Sequence, residues 1–363
     1  MKLSNSKNHI DAYGYFFTAA NQPLERRDFT IPEITSDQVP DQVVVEVAGC
    51  GLCHTDIGFI TGSVKTKHEP PLILGHEISG RVVAAGPLFE KILGKNVIIP
   101  AVLPCGECEL CRGERDNICQ AQKMPGNDFH GGFASHIAVP GRFLCELPSG
   151  LGSFQLPQLS VVADAVTTPY QSLKRSGLKK GDLAIVIGTG GIGIYMVQHA
   201  KNAGASVIAL DIDGKKLEKA REQGADAVIC TTGLSEKDVK DRIRALVAEH
   251  RFPKHQWKVF ETSGSAAGQS AGFSLLSFAG VLGIVGFTME KLNVRLSNVM
   301  AYDADVFGNW GCRPAYYAPV VQDVLSGKIK LRENIREYPL DSINEVIPLA
   351  LAHKLEKRAI FKP

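Results

Sequence analysis

Residues 183–193 read LAIVIGTGGIG. Five apolar residues, Leu183 to Ile187, suit a buried strand, and the glycines that follow break it into a turn. A helix-like stretch, Ile194 to Ala203, comes next, and a second apolar strand, SVIALD, ends at Asp211. This order commits the segment to a strand–turn–helix–strand unit. Its glycines allow a tight turn, close approach of the backbone to a ligand, and close packing of helix on strand. The free N–H groups of the helix N-terminus then face a pyrophosphate. Asp211 stands where an acid that binds adenosine ribose hydroxyls is expected, roughly 20 residues on. The segment therefore predicts dinucleotide binding by Gly188, Thr189, Gly190, Gly191, Ile192, Gly193 and Asp211, with Lys216 close by. An acid at Asp211 favours NAD over NADP, because a 2′-phosphate would face a carboxylate. Lys215 and Lys216 soften that preference.

The alternation continues downstream. Ala227 to Cys230 reads as a strand. Glu236 to His250 reads as an amphipathic helix with Val239, Ile243, Leu246 and Val247 on one face. Val259 to Glu261 and Val281 to Val285 read as further strands, which makes a doubly wound parallel sheet in an α/β protein. From Ser263 to Thr288 no residue is charged. A membrane span needs about 20 predominantly apolar residues, and glycines interrupt this run throughout. A helix ending near Ala279, then a buried strand, explains it better. The domain is expected to begin near Ala163–Ser176 and to end near Asp305.

At 363 residues the chain has room for two domains or three. Forty basic residues against 38 acidic ones leave a net charge of +2, so a nucleic-acid role has no electrostatic footprint. The polar start of the chain lacks the apolar core of a signal peptide, and a cytoplasmic protein without a membrane segment is expected.

Nine cysteines, an odd number, argue against a disulfide framework. Four of them, Cys105, Cys108, Cys111 and Cys119, crowd into PCGECELCRGERDNIC. Short spacers let four thiolates converge on one tetrahedral ion, and zinc so enclosed has no open position and is structural. An iron–sulfur cluster is the alternative for such spacing. Cys50, Cys145, Cys230 and Cys312 read as packing residues. Cys53 in GCGLCHTD, and His76 with Glu77 in LILGHEISG, are a thiolate, an imidazole and a carboxylate, the ligand types of a catalytic zinc. Spacing alone cannot join Cys53 to His76.

In this order, GCGLCHTD, GHEISG, the four-cysteine lobe and GTGGIG resemble the zinc-dependent medium-chain alcohol dehydrogenases. The resemblance implies a GroES-like, β-rich catalytic domain over 1–165, with a structural-zinc lobe at 104–120. It also implies a Rossmann NAD domain over 166–305 and a return to the catalytic domain over 306–363. By the same resemblance Cys53 and His76 are catalytic zinc ligands, and Asp164, in DAVTTPY, is the third, at a position that is a Cys in many members and an Asp in several secondary-alcohol dehydrogenases. Glu77 is similar to an acid that approaches the metal transiently, and Thr55 to the hydroxyl residue that hydrogen-bonds the alcohol. Asp56 resembles a carboxylate that orients the zinc-bound histidine. Arg358 resembles an arginine that meets the NAD pyrophosphate. Two zinc ions per chain, NAD, and a homodimer or homotetramer follow. Gly58 departs from the pattern, since some members end a proton relay there with a histidine.

The stretches HIDAYGYFFTAANQPLERRDF and VVADAVTTPYQSLKRSG are similar to a narrower branch, the 6-hydroxycyclohex-1-ene-1-carbonyl-CoA dehydrogenases of anaerobic aromatic degradation. That likeness implies oxidation of a cyclic allylic alcohol, carried as an acyl-CoA thioester, to a ketone. Lys65, Lys67, His68 and Arg313 are then the candidate cations for CoA phosphates. The alternatives are a dehydrogenase of a free secondary or polyol alcohol, a zinc-free nucleotide-binding protein, and a zinc-ribbon module.

Overall fold

The computed structural model describes residues 9–32, 34 and 40–363. The polar N-terminal stretch at 1–8 lies outside the described residues. The chain divides into two compact units. One holds the described residues up to Asp164 with Cys312–Leu325 and Leu331–Pro363, and the other holds Ala165–Gly311 with Ser326–Lys330.

The second unit is built on six parallel strands. Their spatial order is Ala227–Cys230, Ser206–Asp211, Leu183–Ile187, Lys258–Glu261, Val281–Ile284 and Asp305–Gly308. In chain terms this is 3-2-1-4-5-6, the doubly wound order whose ligand crevice lies at the carboxyl ends beside the first strand. Leu183–Ile187 is buried along its whole length, as a central parallel strand with both faces covered must be. The helix Glu236–Glu249 starts at a capping box. The Ser235 hydroxyl accepts the Asp238 N–H at 3.2 Å, and the Asp238 carboxylate accepts the Ser235 N–H at 3.1 Å. It buries Val239, Ile243 and Val247, while Leu246 is half-buried.

Two elements differ from the sequence reading. The helix expected to end near Ala279 runs only over Ala266–Ser274, and Ala279 itself is left-handed, with φ 51°, so it cannot continue a helix. The sheet also gains Asp305–Gly308 as its outer strand, so the chain stays with the sheet past Asp305. Its mostly exposed pattern hid it, because an edge strand is not covered on both faces.

The first unit contains two sheets. One runs Glu25–Pro32, His9–Phe17, Leu72–Ile73. The larger runs Ile335–Pro339, Arg358–Lys362, Gln42–Gly51, Glu77–Ala85, Asn96–Ile99 and Cys145–Glu146, with His136–Pro140 also paired to Gln42–Gly51. Val43, Val45, Ile78, Ile99, Phe133 and Phe361 form its fully buried core. The antiparallel pair Gln42–Gly51 and Glu77–Ala85 matters most for function. Gly51 lies opposite Glu77, so the chain leaving one strand toward Cys53 and the chain entering the other from His76 meet at the same end.

Candidate active site and metal centres

Asp56 joins these two loops. Cys53 caps the helix His54–Thr61, and one Asp56 oxygen accepts the Cys53 N–H at 2.9 Å. The other oxygen accepts the Gly75 N–H at 3.1 Å and lies 3.3 Å from His76 Nδ1. Asp56 is fully buried, so a single carboxylate fixes the backbone of both loops and lies beside the ring of the histidine. Asp164 ends the 3₁₀ segment Leu156–Ala163. Its Oδ2 is 3.7 Å from Cys53 Sγ and 3.7 Å from His76 Nε2. One donor atom from each of Cys53, His76, Glu77 and Asp164 lies within 4.8 Å of the others. Tetrahedral zinc with ligands at about 2.0–2.3 Å puts unlike donors roughly 3.3–3.6 Å apart, so the donor set and its spacing fit zinc.

Glu77 stands in that group with a partner of its own. Arg358 Nε donates to Glu77 Oε2 at 2.8 Å and Nη2 to Oε1, and both side chains are buried. Burial pushes the Glu77 carboxyl up to about 7 against the opposing pull of Arg358. Its position needs a glycine opposite: a Cβ at Gly51 would strike Glu77 Oε2. The family resemblance gives Arg358 to a pyrophosphate; in this unit its guanidinium also pairs with Glu77. Thr55 is in the first turn of the helix, with Oγ1 3.9 Å from Cys53 Sγ.

The four-cysteine lobe converges as its spacing predicts. Sγ–Sγ separations are 3.5 Å for Cys108–Cys111 and Cys105–Cys119, 3.7 Å for Cys108–Cys119, and 3.8 Å for Cys105–Cys111. Zn–S bonds of about 2.3 Å give a tetrahedral edge of about 3.8 Å. Four thiolates at that spacing fit zinc with no position left over. Arg313 clips the lobe to the returning chain, with Nε 2.8 Å from Asp116 Oδ1 and Nη1 3.7 Å from Glu114. Two of the cations suggested for CoA phosphates are thereby engaged elsewhere, Arg313 here and Lys67 with Asp128 at 3.3 Å. Lys65 and His68 are both exposed.

In the glycine turn of the second unit, Gly188, Gly190 and Gly193 differ in what surrounds them. Gly188 has φ 83°, and a Cβ on it would sit 2.6 Å from the Ser263 backbone. A Cβ on Gly193 would strike the Gly188 carbonyl. At Gly190 a Cβ would meet nothing within 4 Å. Internal packing thus explains Gly188 and Gly193, while Gly190 leaves open space of the kind a pyrophosphate needs. Gly191 and Ile192 complete the turn, and Ile192 caps the helix Gly193–Asn202. Asp211 is buried at the end of its strand. Its Oδ2 accepts Thr189 N–H at 2.7 Å and Oγ1 at 3.0 Å, and its Oδ1 accepts the Asp213 N–H at 3.0 Å. Lys215 and Lys216 are exposed in the next helix, Gly214–Glu222.

The sequence reading missed Glu261. This buried acid ends the strand Lys258–Glu261 and accepts from Ser263 N at 2.7 Å, Ser263 Oγ at 2.5 Å and Gly264 N at 3.1 Å. It braces the turn that touches Gly188, and burial raises its carboxyl above the ordinary range despite those donors. The signal was a charge closing a buried apolar strand. Cys230 corrects another expectation, being exposed where Cys50, Cys145 and Cys312 are buried. Among the described residues no helix is long and apolar enough to cross a membrane.

Known proteins bear on this geometry. Residues 39–149 match the alcohol dehydrogenase GroES-like domain, and residues 191–326 match the zinc-binding dehydrogenase domain. An alcohol dehydrogenase of Geobacillus stearothermophilus is 30% identical over 329 residues, 88% of this chain and 91% of that protein. D-arabitol-phosphate dehydrogenase of Enterococcus avium is 28% identical over 324 residues, 88% of each chain. The structure of a zinc-binding dehydrogenase from Sinorhizobium meliloti bound to NADP superposes with a TM-score of 0.84 at 26% identity, covering 98% of this chain and all of that one. With a GroES-like unit, a Rossmann sheet and two zinc-type donor sets, this chain belongs to the zinc-dependent medium-chain alcohol dehydrogenases and is an oxidoreductase.

Proposed function

We propose that the protein oxidises a secondary alcohol to a ketone and passes the hydride to NAD, with zinc held by Cys53, His76 and Asp164. The observation that carries this reading is the meeting of those three donors, from three separate segments, around one point. Zinc bound there would supply Lewis-acid activation of the hydroxyl. Cys53 and Asp164 bring two negative charges against the ion's two positive ones. Asp56 holds His76 in a fixed orientation and raises its basicity as a ligand. Thr55 Oγ1 accepts the hydroxyl proton of the alcohol. With Gly58 where a histidine would otherwise continue the relay, the proton leaves through water or through His54, which is exposed. The buried Glu77–Arg358 pair keeps a neutralised carboxylate next to the three ligands. Arg358 is also assigned to the cofactor pyrophosphate, as the family resemblance implies, with Glu77 holding it ready.

The cofactor is NAD, bound by Gly188–Gly193 and Asp211, with Lys216 beside the ribose. The Asp211 carboxylate disfavours a 2′-phosphate, although the Sinorhizobium relative holds NADP. A second zinc in the four-cysteine lobe is structural. The reading includes a cytoplasmic enzyme that is a homodimer or homotetramer, and the open edge strand Asp305–Gly308 supports self-association.

For the substrate we propose a cyclic allylic alcohol carried as a CoA thioester, 6-hydroxycyclohex-1-ene-1-carbonyl-CoA, on the strength of the two sequence stretches named above. The second reading is a free secondary or polyol alcohol, favoured by the engagement of Lys67 and Arg313 with acids of their own. Reduction of NAD, followed with the thioester, the matching free acid and cyclohexenol, decides between them. Efficient turnover of the thioester alone supports the first. Equal turnover of the free alcohols removes the CoA assignment and leaves the dehydrogenase. No turnover of any alcohol with either NAD or NADP overturns both.

A further inference from the structure

The second unit has a concave site that the dinucleotide does not use. A cavity of about 290 Å³ opens at the amino ends of the strands Lys258–Glu261, Val281–Ile284 and Asp305–Gly308, beside the helix Glu236–Glu249. The glycine turn at Gly188 lies at the carboxyl end of its strand. In a parallel sheet these are opposite edges, so the two sites are separate.

The cavity is apolar below and cationic at its rim. Trp257, Val247 and Leu276 are buried in its lining. Trp257 Nε1 donates to the Pro253 carbonyl at 2.8 Å, which satisfies the one polar group of the indole. Phe278 forms a wall and stays 58% exposed. It is held edge-on between His255, at 5.8 Å, and Tyr302, at 5.2 Å. An exposed aromatic ring fixed from both sides is a stacking surface made in advance. The rim carries Lys240, Arg244, Lys254 and His255 and no acid. Arg244 faces Asp241 at 3.4 Å on the exposed helix surface. Among the described residues Lys240, Lys254 and His255 have no ion pair. Lys240 donates to the Ser274 carbonyl at 3.0 Å, and burial together with Arg244 holds its amine below the usual range.

The backbone adds an independent sign. Gln256, Ala279 and Asp303 have φ of 61°, 51° and 48°. Each precedes one of the three strands by two residues, and none is glycine. Ala279 has no side-chain group to compensate the left-handed conformation. The Gln256 N–H donates to the Phe278 carbonyl at 2.9 Å, and the Ala279 N–H to the Tyr302 carbonyl at 2.8 Å. The unfavourable conformations thus hold the two aromatic residues of the wall, and strain of this kind clusters at functional sites.

We propose that this cavity binds a small amphipathic anion, an aromatic or cyclic apolar body bearing a carboxylate or phosphate, independently of the dinucleotide. The ring stacks on Phe278 over Trp257, and the anionic group faces Lys254, Lys240 and Arg244.

The probe is 1-anilinonaphthalene-8-sulfonate, titrated by fluorescence into the zinc-loaded protein saturated with oxidised NAD and, separately, oxidised NADP. One equivalent binds in both cases. Lys254→Glu and Phe278→Ser each raise its Kd about tenfold, a loss of about 1.4 kcal/mol, and the uncharged N-phenyl-1-naphthylamine binds more weakly by a similar factor. Circular dichroism and thermal melts confirm folding, and Lys254→Gln gives a milder loss should the reversal disturb it. Benzoate and phenyl phosphate then compete, and the stronger competitor identifies the anionic group. Displacement by either dinucleotide, an unchanged Kd in both variants, equal binding of the uncharged analogue, or failure of both competitors overturns the proposal. The reading concerns binding alone, so it survives or falls independently of any substrate.

Discussion

Arg358 and Glu77 form a two-point ion pair in which the arginine side chain is 7% exposed and the glutamate not at all. One residue comes from the strand that closes the chain and the other from the strand that follows His76. A charge buried this deeply depends on its partner, and removing one side leaves the other desolvated.

Arg358→Leu is therefore expected to destabilise the protein by about 3–5 kcal/mol, read from urea melts. Glu77→Gln should cost less, because the amide keeps one acceptor for the guanidinium. Pairing Arg358→Leu with Glu77→Leu should recover part of the loss. A double variant as unstable as the sum of the singles would show that the two residues act separately.

Asp56→Ala removes the acceptor of two buried N–H groups and the neighbour of His76 Nδ1. Zinc affinity at the Cys53 site is expected to fall about 10–100-fold, measured by competition with a chromogenic chelator. Metal in the four-cysteine lobe should be unaffected. Unchanged affinity at the Cys53 site would remove the orienting role.

Cys111→Ser should lower bound zinc from two ions per chain to one, by elemental analysis, and reduce the melting temperature. Alcohol oxidation per remaining folded molecule should persist, because a closed set of four thiolates offers no position to substrate. Loss of activity from protein that is still folded would assign the lobe a part in the chemistry.

With both zinc sites filled, a single cysteine should react readily with iodoacetamide at neutral pH, and peptide mapping should place it at Cys230. Cys230 is exposed, while Cys50, Cys145 and Cys312 are buried. Burial also pushes the Cys145 thiol up to about 11, which withholds the reactive thiolate. Rapid labelling at Cys145 would contradict the packing described here.

Glu261 gives a pH dependence of definite sign. Its carboxyl is raised in the folded state, so folding favours its protonated form. That contribution is fully present below the ordinary carboxylate range and is lost as pH rises through the raised folded value. Relative to Glu261→Gln, the natural protein should gain stability as pH falls from 7 toward 4. A difference between the two that stays constant over that interval would place the carboxyl in the ordinary range.

What the sequence determined by itself was local. Four cysteines within one short segment converge wherever the segment lies, because short spacers limit how far the thiolates can separate. The strand, glycine turn and helix from Leu183 onward specify their own geometry through φ and steric room, and Asp211 follows within the same unit. Residues far apart in the chain were settled differently. Cys53, His76 and Asp164 meet because Gly51 pairs with Glu77 across two antiparallel strands and Asp56 bonds both loops. That register is chosen by burial over the whole sheet, and no spacing encodes it. The same holds for Arg358, which resemblance alone assigned to a phosphate. Only the packing of the last strand against the core shows the carboxylate that neutralises it, because a buried charge takes the partner the fold places beside it.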